Sequence, residues 1–195
     1  MQEIHHRVKN NLQIISSLAR IQAHHSDDPK TVEMLRESQA RIRAMALIHE
    51  RLYRAQNLSR IDFSDYIGHL VTHLFHSYGI DANRIKTSID ITPVHMDIDT
   101  AIPCGLIVNE LVSNALKYAF PDDYSGTIKV CLDTSDPQTW SLLISDDGVG
   151  LEASVDLGNA ETLGLRLVHI LVQQLKGHLE LDNANGTTFT IWLPR

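Results

Sequence analysis

The chain has 195 residues, a formal net charge of −7 at pH 7 and 43% hydrophobic residues. This length allows one large domain or two small ones, and the composition is that of an ordinary globular protein. The acidic balance argues against a general nucleic-acid binder, which usually carries a basic excess. No apolar run approaches a membrane span of about eighteen residues, so we expect no membrane segment and a cytoplasmic location. Cys104 and Cys131 lie in apolar runs and are expected to be buried thiols.

Two amphipathic helices are predicted at the start of the chain, over about residues 3–25 and 30–55. A polar break separates them, with Asp28 as a plausible N-cap and Pro29 at the first helical position. A loop this short makes the helices pack antiparallel as a hairpin. A homodimeric four-helix bundle would cover the apolar surface that a hairpin leaves open, and packing against the rest of the chain is the alternative.

The first helix carries two adjacent histidines, His5 and His6. On a helical wheel His6 lies about 150° from the centre of the apolar stripe, beside Asn10, whereas His5 lies nearer the edge of the stripe. The stripe consists of Ile4, Val8, Leu12, Ile14, Ile15, Leu18 and Ile21. A histidine on an exposed helical face can offer a neutral ring nitrogen as a nucleophile, although an ordinary surface histidine fits the wheel equally well.

The rest of the chain alternates helices and strands without a strict strand–helix–strand rhythm, which favours an α+β sandwich over a doubly wound sheet. The predicted elements are helices over about 64–79, 100–118 and 163–175, strands over 85–91, 127–133 and 140–145, a mobile loop over 150–162, and a terminal hairpin of 177–182 with 187–193. We divide the chain into a helical hairpin, residues 1–57, and a second domain, residues 58–195.

The long helix predicted over 100–118 carries a segment with several polar residues, over 109–118. Asn114 can offer a side-chain oxygen to a hard divalent cation, and Lys117 can pair with phosphate oxygens. Glu110 lies one helical turn before Asn114 and shares its face. An asparagine and a lysine on a helix are more often plain surface polarity, so this segment needs support from elsewhere in the chain.

Three further segments supply that support. Asp146-Asp147-Gly148-Val149-Gly150 follows an apolar strand, where a carboxylate can accept a hydrogen bond from an exocyclic amine and glycines allow a sharp turn. Gly164 precedes a helix N-terminus whose N–H groups suit a phosphate. The small residues of Asn185-Gly186-Thr187 form a hairpin that could close on a nucleotide.

In this order and spacing, the four segments resemble the nucleotide-binding boxes of the GHKL (Bergerat-fold) ATP-binding superfamily, over about residues 62–195. The resemblance implies a Bergerat-type α/β sandwich that binds ATP and Mg²⁺. Asn114 would position Mg²⁺, Asp146 would read adenine, and the loop over 150–162 would close as a lid. The nucleotide-binding residues implied by the resemblance are Asn114, Lys117, Tyr118, Asp146, Gly148, Gly150, Gly164, Leu165 and Thr187.

The N-terminal segment His-His-Arg-Val-Lys-Asn-Asn-Leu-Gln, with Ala-Leu-Ile-His-Glu-Arg-Leu-Tyr over 46–53, is similar to the HWE-related subfamily of two-component sensor histidine kinases. Its His-Arg-x-x-x-Asn pattern maps the phosphoacceptor onto His6 and the following asparagine onto Asn10. The resemblance implies phosphorylation of His6 from MgATP, then transfer to an aspartate of a response regulator receiver domain. The apolar surface of the hairpin favours a homodimer through it. We also expect the chain to be the catalytic portion of a larger sensor, because the phosphoacceptor-like segment begins almost directly after Met1.

One departure from the family pattern concerns proton removal. Many histidine kinases carry an acidic residue directly after the phosphoacceptor, and this chain has Arg7 there. Glu3 lies one turn before His6 and could orient the ring. An interaction of its carboxylate with the helix macrodipole explains a glutamate at this position equally well. Asn10 could position a water that dephosphorylates the partner regulator.

Two other functions remain open at this point. In the gyrase and chaperone branches of the superfamily, a glutamate one turn before the metal-binding asparagine activates water, and Glu110 has that spacing from Asn114. The chain could therefore be an ATP-hydrolysing conformational switch. A degenerate dimeric adaptor without catalysis is the third possibility.

Overall fold

The computed structural model describes the backbone of residues 2–54, 61–81, 83–122, 124–151 and 163–195, and within the first segment the side chains of residues 7–47. Helices α1 (Gln2–His25) and α2 (Pro29–Arg54) form the predicted hairpin. Asp28 caps α2, because its carboxylate accepts the backbone N–H of Lys30 at 3.2 Å and of Thr31 at 3.1 Å. The capping residue and the start at Pro29 are confirmed.

The apolar residues of α1 do not form one covered stripe. The side of α1 that packs on α2 contains the small residues Ser16 and Ala19, and the Gln39 side chain donates to the Ser16 carbonyl at 3.3 Å. Longer apolar side chains of the predicted stripe remain about half exposed: Ile14, Ile15, Leu18 and Ile21. Small side chains let two helix backbones approach, and this decides which face of α1 turns toward α2.

Five strands form one mixed sheet in the order β2-β4-β5-β7-β6. The strands are β2 (Ile85–Ile91), β4 (Gly126–Asp133), β5 (Thr139–Asp146), β6 (His178–Asp182) and β7 (Thr187–Pro194). β2 pairs parallel with β4, and the remaining neighbours are antiparallel. Two short strands that the sequence analysis missed, β1 (Ile61–Asp62) and β3 (His95–Met96), pair with each other. Two residues are too few to show a strand periodicity.

Three helices pack on the sheet: α3 (Phe63–Tyr78), α4 (Ile98–Asn114) and α5 (Leu163–Gln174), with a π-helical turn (Ala115–Ala119) continuing α4. Asp62 and Asp97 cap α3 and α4 by accepting backbone N–H groups at 3.1 Å and 2.7 Å. Gly79 ends α3 with φ of 63°, a left-handed conformation that favours glycine. These caps explain why the helix bounds lie close to the predicted ones.

The main core lies between these helices and one face of the sheet. Alternate residues along a strand point to the same face, and the alternate apolar residues of β4, β5 and β7 are buried. They are Ile128, Val130, Leu132, Leu142, Ile144, Phe189, Ile191 and Leu193. The α+β class, with a helical hairpin followed by a mixed sheet domain, is confirmed.

The hairpin also joins this core. Ala44 of α2 is 1% exposed, and the hydroxyl of the buried Tyr66 donates to the Ala44 carbonyl at 3.4 Å. The predicted division after residue 57 falls among residues 55–60, which lie outside the described part, so the division stays a prediction.

The two cysteines differ in burial. Cys104 is fully buried in α4, and burial raises the pKa of its thiol to about 12. Cys131 is only half-buried, and burial raises its pKa as well. The expectation of buried thiols therefore holds fully only for Cys104.

Across the described ranges, no helix is both long and apolar enough to span a bilayer.

Candidate functional site

Asp146 ends β5 and is 8% exposed. One of its carboxylate oxygens accepts the backbone N–H of Gly148 at 3.1 Å and of Thr187 at 3.3 Å. Burial raises the pKa of Asp146, and these hydrogen bonds oppose the shift only in part. A carboxylate has about four lone-pair positions, so Asp146 retains capacity for a further donor such as an amine.

The glycine loop after Asp146 lies against the end of the α4 region. Val149 donates its backbone N–H to the Ala119 carbonyl at 3.0 Å. A Cβ on Gly148 would lie 2.2 Å from the same carbonyl oxygen, so only glycine allows this approach. The contact brings the Asp146 segment to the turn that follows Asn114.

The hairpin between β6 and β7 closes on the same loop. The side chain of Asn183 makes two hydrogen bonds to Leu151, accepting its N–H at 2.7 Å and donating to its carbonyl at 2.6 Å. Gly186 has φ of 79°, and a Cβ there would lie 2.1 Å from the Asp146 carbonyl oxygen. Sequence reasoning missed Asn183, because an asparagine in a turn usually bonds within the turn itself.

Asn114 is half-buried at the last residue of α4, where the helix widens into the π-helical turn. Single π-helical turns occur frequently at functional sites. Tyr118, within that turn, is 62% exposed. The donor set fits Mg²⁺ and ATP, because Asn114 offers a neutral oxygen and Asp146 an acceptor for an amine.

Gly164 brings the start of α5 to Glu110. A Cβ on Gly164 would lie 2.8 Å from Glu110 Oε2. The next residue, Leu165, is 7% exposed and belongs to the core cluster. The N-terminus of α5 therefore lies beside Glu110 of α4.

Glu110 forms an ion pair with α2. Arg41 donates from Nε to Glu110 Oε1 at 2.9 Å and from Nη2 to Oε2 at 2.7 Å. The Asn109 side chain also donates to Oε1, at 3.0 Å. Burial lowers the pKa of Arg41, but the hydrogen bond to Glu110 outweighs this and the net pKa is raised. Each carboxylate oxygen of Glu110 thus already accepts an N–H.

Lys117 also contacts α2. Its ammonium group pairs with Glu37 at 2.7 Å and with Glu33, and its side chain is 12% exposed. Burial lowers the pKa of Lys117, but the hydrogen bonds to Glu33 and Glu37 outweigh this, and the net pKa is raised. The sequence analysis expected phosphate as the partner of this lysine, and in the structure two carboxylates hold it.

The phosphoacceptor end is described only in part. The side chains of Glu3, His5 and His6 lie outside the described residues, as do residues 152–162 of the lid predicted over 150–162. Asn10 lies exposed on α1. The roles assigned to Glu3, His6 and Asn10 stay predictions.

The structure adds several polar residues to the candidate site: Asn109, Glu33, Glu37, Arg41 and Asn183. Asn109 is 1% exposed, and its side-chain oxygen has no hydrogen-bond partner. Glu33, Glu37 and Arg41 recur every four residues, so their common face was readable from the sequence, although their partners were not.

Comparison with known proteins matches both parts of the chain. A histidine kinase family model, HisKA_2, matches residues 3–78. A second model, described as histidine kinase-, DNA gyrase B- and HSP90-like ATPase, matches residues 100–195. Together the two matches take in most of the chain.

Individual relatives agree with these models. Sensor histidine kinase PdtaS of Mycobacterium tuberculosis is 31% identical over 100% of this chain and 39% of its own length. Blue-light-activated histidine kinase 2 of Erythrobacter litoralis is 30% identical over 98% of this chain and 56% of its own length. The chain thus spans less than two thirds of either relative.

Solved structures support the fold over nearly the whole chain. The histidine kinase domain of the Erythrobacter litoralis EL346 blue-light activated histidine kinase aligns with a TM-score of 0.75 at 28% identity, covering 98% of this chain and 89% of that one. Acinetobacter baumannii histidine kinase AdeS aligns with a TM-score of 0.60 at 23% identity, covering 95% of this chain and 93% of that one, a likeness of fold. From the two family matches and these relatives, the chain belongs to the sensor histidine kinase family, with a helical HisKA_2 segment and a GHKL-type ATPase segment.

Proposed function

We propose that this chain is an ATP-dependent histidine kinase that phosphorylates His6 and passes the phosphoryl group to an aspartate of a response regulator. The observation that carries the proposal is the contact of the glycine loop with the π-helical turn that continues α4, where Val149 donates to Ala119. We propose that Asp146, Gly148 and Asn114 form one nucleotide cradle around this contact, with adenine at one end and phosphates at the other.

Each residue of the cradle has a task in this proposal. Asp146 accepts the exocyclic amine of adenine, which discriminates against guanine. Asn114 supplies an oxygen ligand to Mg²⁺, and Lys117 binds phosphate oxygens. Gly148, Gly150 and Gly164 allow the backbone to approach the phosphates. The remaining predicted nucleotide contacts are Tyr118, Leu165 and Thr187.

The chemistry is an in-line phosphoryl transfer. A neutral ring nitrogen of His6 attacks the γ-phosphorus of ATP, an N–P bond forms, and the bond to the ADP oxygen breaks as ADP leaves. The imidazole proton passes to water, and Glu3, one turn before His6, is proposed to orient the ring. Asn10, one turn after His6, is proposed to position the water that dephosphorylates the regulator.

The hairpin is the proposed site of homodimerisation and of the receiver-domain partner. The half-exposed apolar side chains of α1 are a surface that a second hairpin would cover as a four-helix bundle. The boundaries proposed for the two domains remain 1–57 and 58–195.

Incubation with γ-labelled ATP tests the kinase proposal. We expect a protein label that is acid-labile and alkali-stable, because phosphohistidine has that stability. The label should vanish in His6→Gln and persist in His5→Gln. A His6→Gln variant that keeps its label contradicts the assignment of His6.

The same assay separates the rival functions. Phosphate release without protein label would indicate an ATP-hydrolysing switch, and neither product would indicate an adaptor. The pairing of Glu110 with Arg41 weighs against the switch, since the carboxylate that would activate water already binds a guanidinium.

A further inference from the structure

Helix α2 and the α4 region face each other with complementary charges. Glu33, Glu37 and Arg41 recur every four residues and form one row along α2. Glu110 and Lys117 are two helical turns apart on the opposing element. We call these five residues the charge ladder. The acidic end of the α2 row meets Lys117, and its basic end meets Glu110.

The two ends of the ladder differ in geometry. Arg41 and Glu110 form a two-point pair whose side chains are 12% and 7% exposed. At the other end, Lys117 is 12% exposed, but its partners Glu33 and Glu37 are 47% and 29% exposed. A buried two-point pair is hard to separate, whereas half-exposed carboxylates can turn toward water. Lys117 can therefore exchange its carboxylate partners for other anions more easily than Glu110 can release Arg41.

The lysine end contains more negative than positive charge. One ammonium group faces two carboxylates, one of which, that of Glu37, also lies 3.6 Å from Arg41 Nη2. A triphosphate that approached Lys117 would meet both carboxylates at close range and would be repelled by them. Phosphate and the two glutamates are thus mutually exclusive partners of Lys117.

We propose that Glu33 and Glu37 set the nucleotide affinity of this protein by competing with the phosphates of ATP for Lys117. This inference rests on the proposed function, because it takes the cradle to be a nucleotide site. Bound nucleotide removes Lys117 from α2 and loosens the lysine end, while Arg41 keeps the other end attached to Glu110. Bound nucleotide weakens the contact between α2 and Lys117 by some factor. By linkage, loss of that contact strengthens nucleotide binding by the same factor.

The test measures binding to Glu33→Gln/Glu37→Gln by calorimetry. The ligands are Mg²⁺ with AMP-PNP, a non-hydrolysable ATP analogue, and adenosine, which has no phosphate. We expect the variant to bind Mg–AMP-PNP about tenfold more tightly than the unaltered protein, with adenosine affinity unchanged. Adenosine carries no phosphate, so a gain confined to Mg–AMP-PNP shows that the two carboxylates act against the phosphates.

A matched control removes two negative charges elsewhere. Asp90 and Glu180 are exposed on β2 and β6, the two outer strands of the sheet. Asp90→Asn/Glu180→Gln changes the net charge equally and should leave both affinities unchanged. Thermal unfolding of each variant checks that it is folded before binding is compared.

The possible outcomes separate the inference from the proposed function. Equal Mg–AMP-PNP affinity in Glu33→Gln/Glu37→Gln and the unaltered protein overturns the competition, and so does an equal gain for adenosine. If neither ligand binds any of the proteins, the nucleotide site itself is wrong and the proposed function falls with it.

Hydrogen exchange gives a second measurement on the unaltered chain. Mg–AMP-PNP should speed amide exchange in the part of α2 around Glu33 and Glu37 relative to adenosine, because only the phosphates displace these carboxylates from Lys117. Exchange in this part of α2 that is the same with both ligands overturns the proposed loosening.

Discussion

Asp146 combines the proposed recognition of adenine with a cost in folding free energy. Its carboxylate is buried at the end of β5, and burial raises its pKa above that of an ordinary aspartate. Because its pKa is raised, the folded state binds the Asp146 proton more tightly than the unfolded state does. This contribution to stability is fully present at pH values below the ordinary aspartate pKa. That contribution is lost as pH rises through the raised value. At neutral pH the charged form is therefore the less favourable one for folding.

The variant Asp146→Asn tests this trade between stability and recognition. Its amide oxygen can still accept from Gly148 and Thr187, but it carries no charge. We expect an unfolding free energy at pH 7 that equals or exceeds that of the unaltered protein. The difference should shrink as pH falls toward about pH 4. Denaturant titrations across this pH range measure it.

The affinity for nucleotide should fall in Asp146→Asn, whereas the stability does not. Loss of a charge-assisted hydrogen bond to the adenine amine is expected to weaken adenosine binding to Asp146→Asn by about 10- to 100-fold. The neighbouring exposed Asp147, which accepts the Thr127 N–H at 2.6 Å, is the control position. Asp147→Asn should bind adenosine normally. Normal adenosine binding by Asp146→Asn would remove Asp146 from the site.

At the scale of an element, α1 has two apolar sides with different partners. One side packs on α2 through small residues, and the other keeps Ile14, Leu18 and Ile21 more than 50% exposed. An exposed apolar row along a helix is typical of an interface. We assign it to a second copy of the hairpin.

Leu18→Glu tests that assignment. A charge placed in an apolar interface is desolvated without a partner, so we expect the dimer to dissociate into monomers. Light scattering over a range of concentrations measures the mass. Gln174→Glu adds the same charge at an exposed position on α5, outside this row, and should remain dimeric. A constant monomer mass for the unaltered chain would contradict the dimer.

The bounds of the elements were largely predictable from local signals. Asp28, Asp62 and Gly79 are capping residues, and each acts on backbone groups within a few positions. Burial alternates along β4, β5 and β7, which is typical of strands with one face on the core. The exception was the short β1–β3 pair, whose register depends on a partner more than thirty residues away.

At the scale of the whole molecule, the hairpin and the sheet domain share one interface. Ala44 lies in the common core, and the Arg41–Glu110 pair bridges α2 and α4 nearby. A buried pair of this kind adds little over apolar packing, but removal of one partner leaves an uncompensated charge. The stability of the interface therefore depends on the presence of both side chains, Arg41 and Glu110.

Arg41→Met should lower the unfolding free energy by about 3–5 kcal/mol, because the Glu110 carboxylate then remains buried without its cation. Arg41→Met/Glu110→Gln should recover most of that loss, since no buried charge remains. Denaturant unfolding of both variants and of Glu110→Gln completes a double-mutant cycle. A loss below about 1 kcal/mol for Arg41→Met would show that the pair contributes little.

The sequence by itself determined the elements, the caps and the positions of the nucleotide motifs. These depend on periodicity and on contacts between residues that are close along the chain. Only the tertiary structure decided the partners of Glu110 and Lys117. Those partners lie on α2, 69 and 80 residues away along the chain, and nothing local encodes such a separation. The charged side chains of Glu110 and Lys117 are thus held by a neighbouring helix in the structure, a contact that only the folded chain reveals.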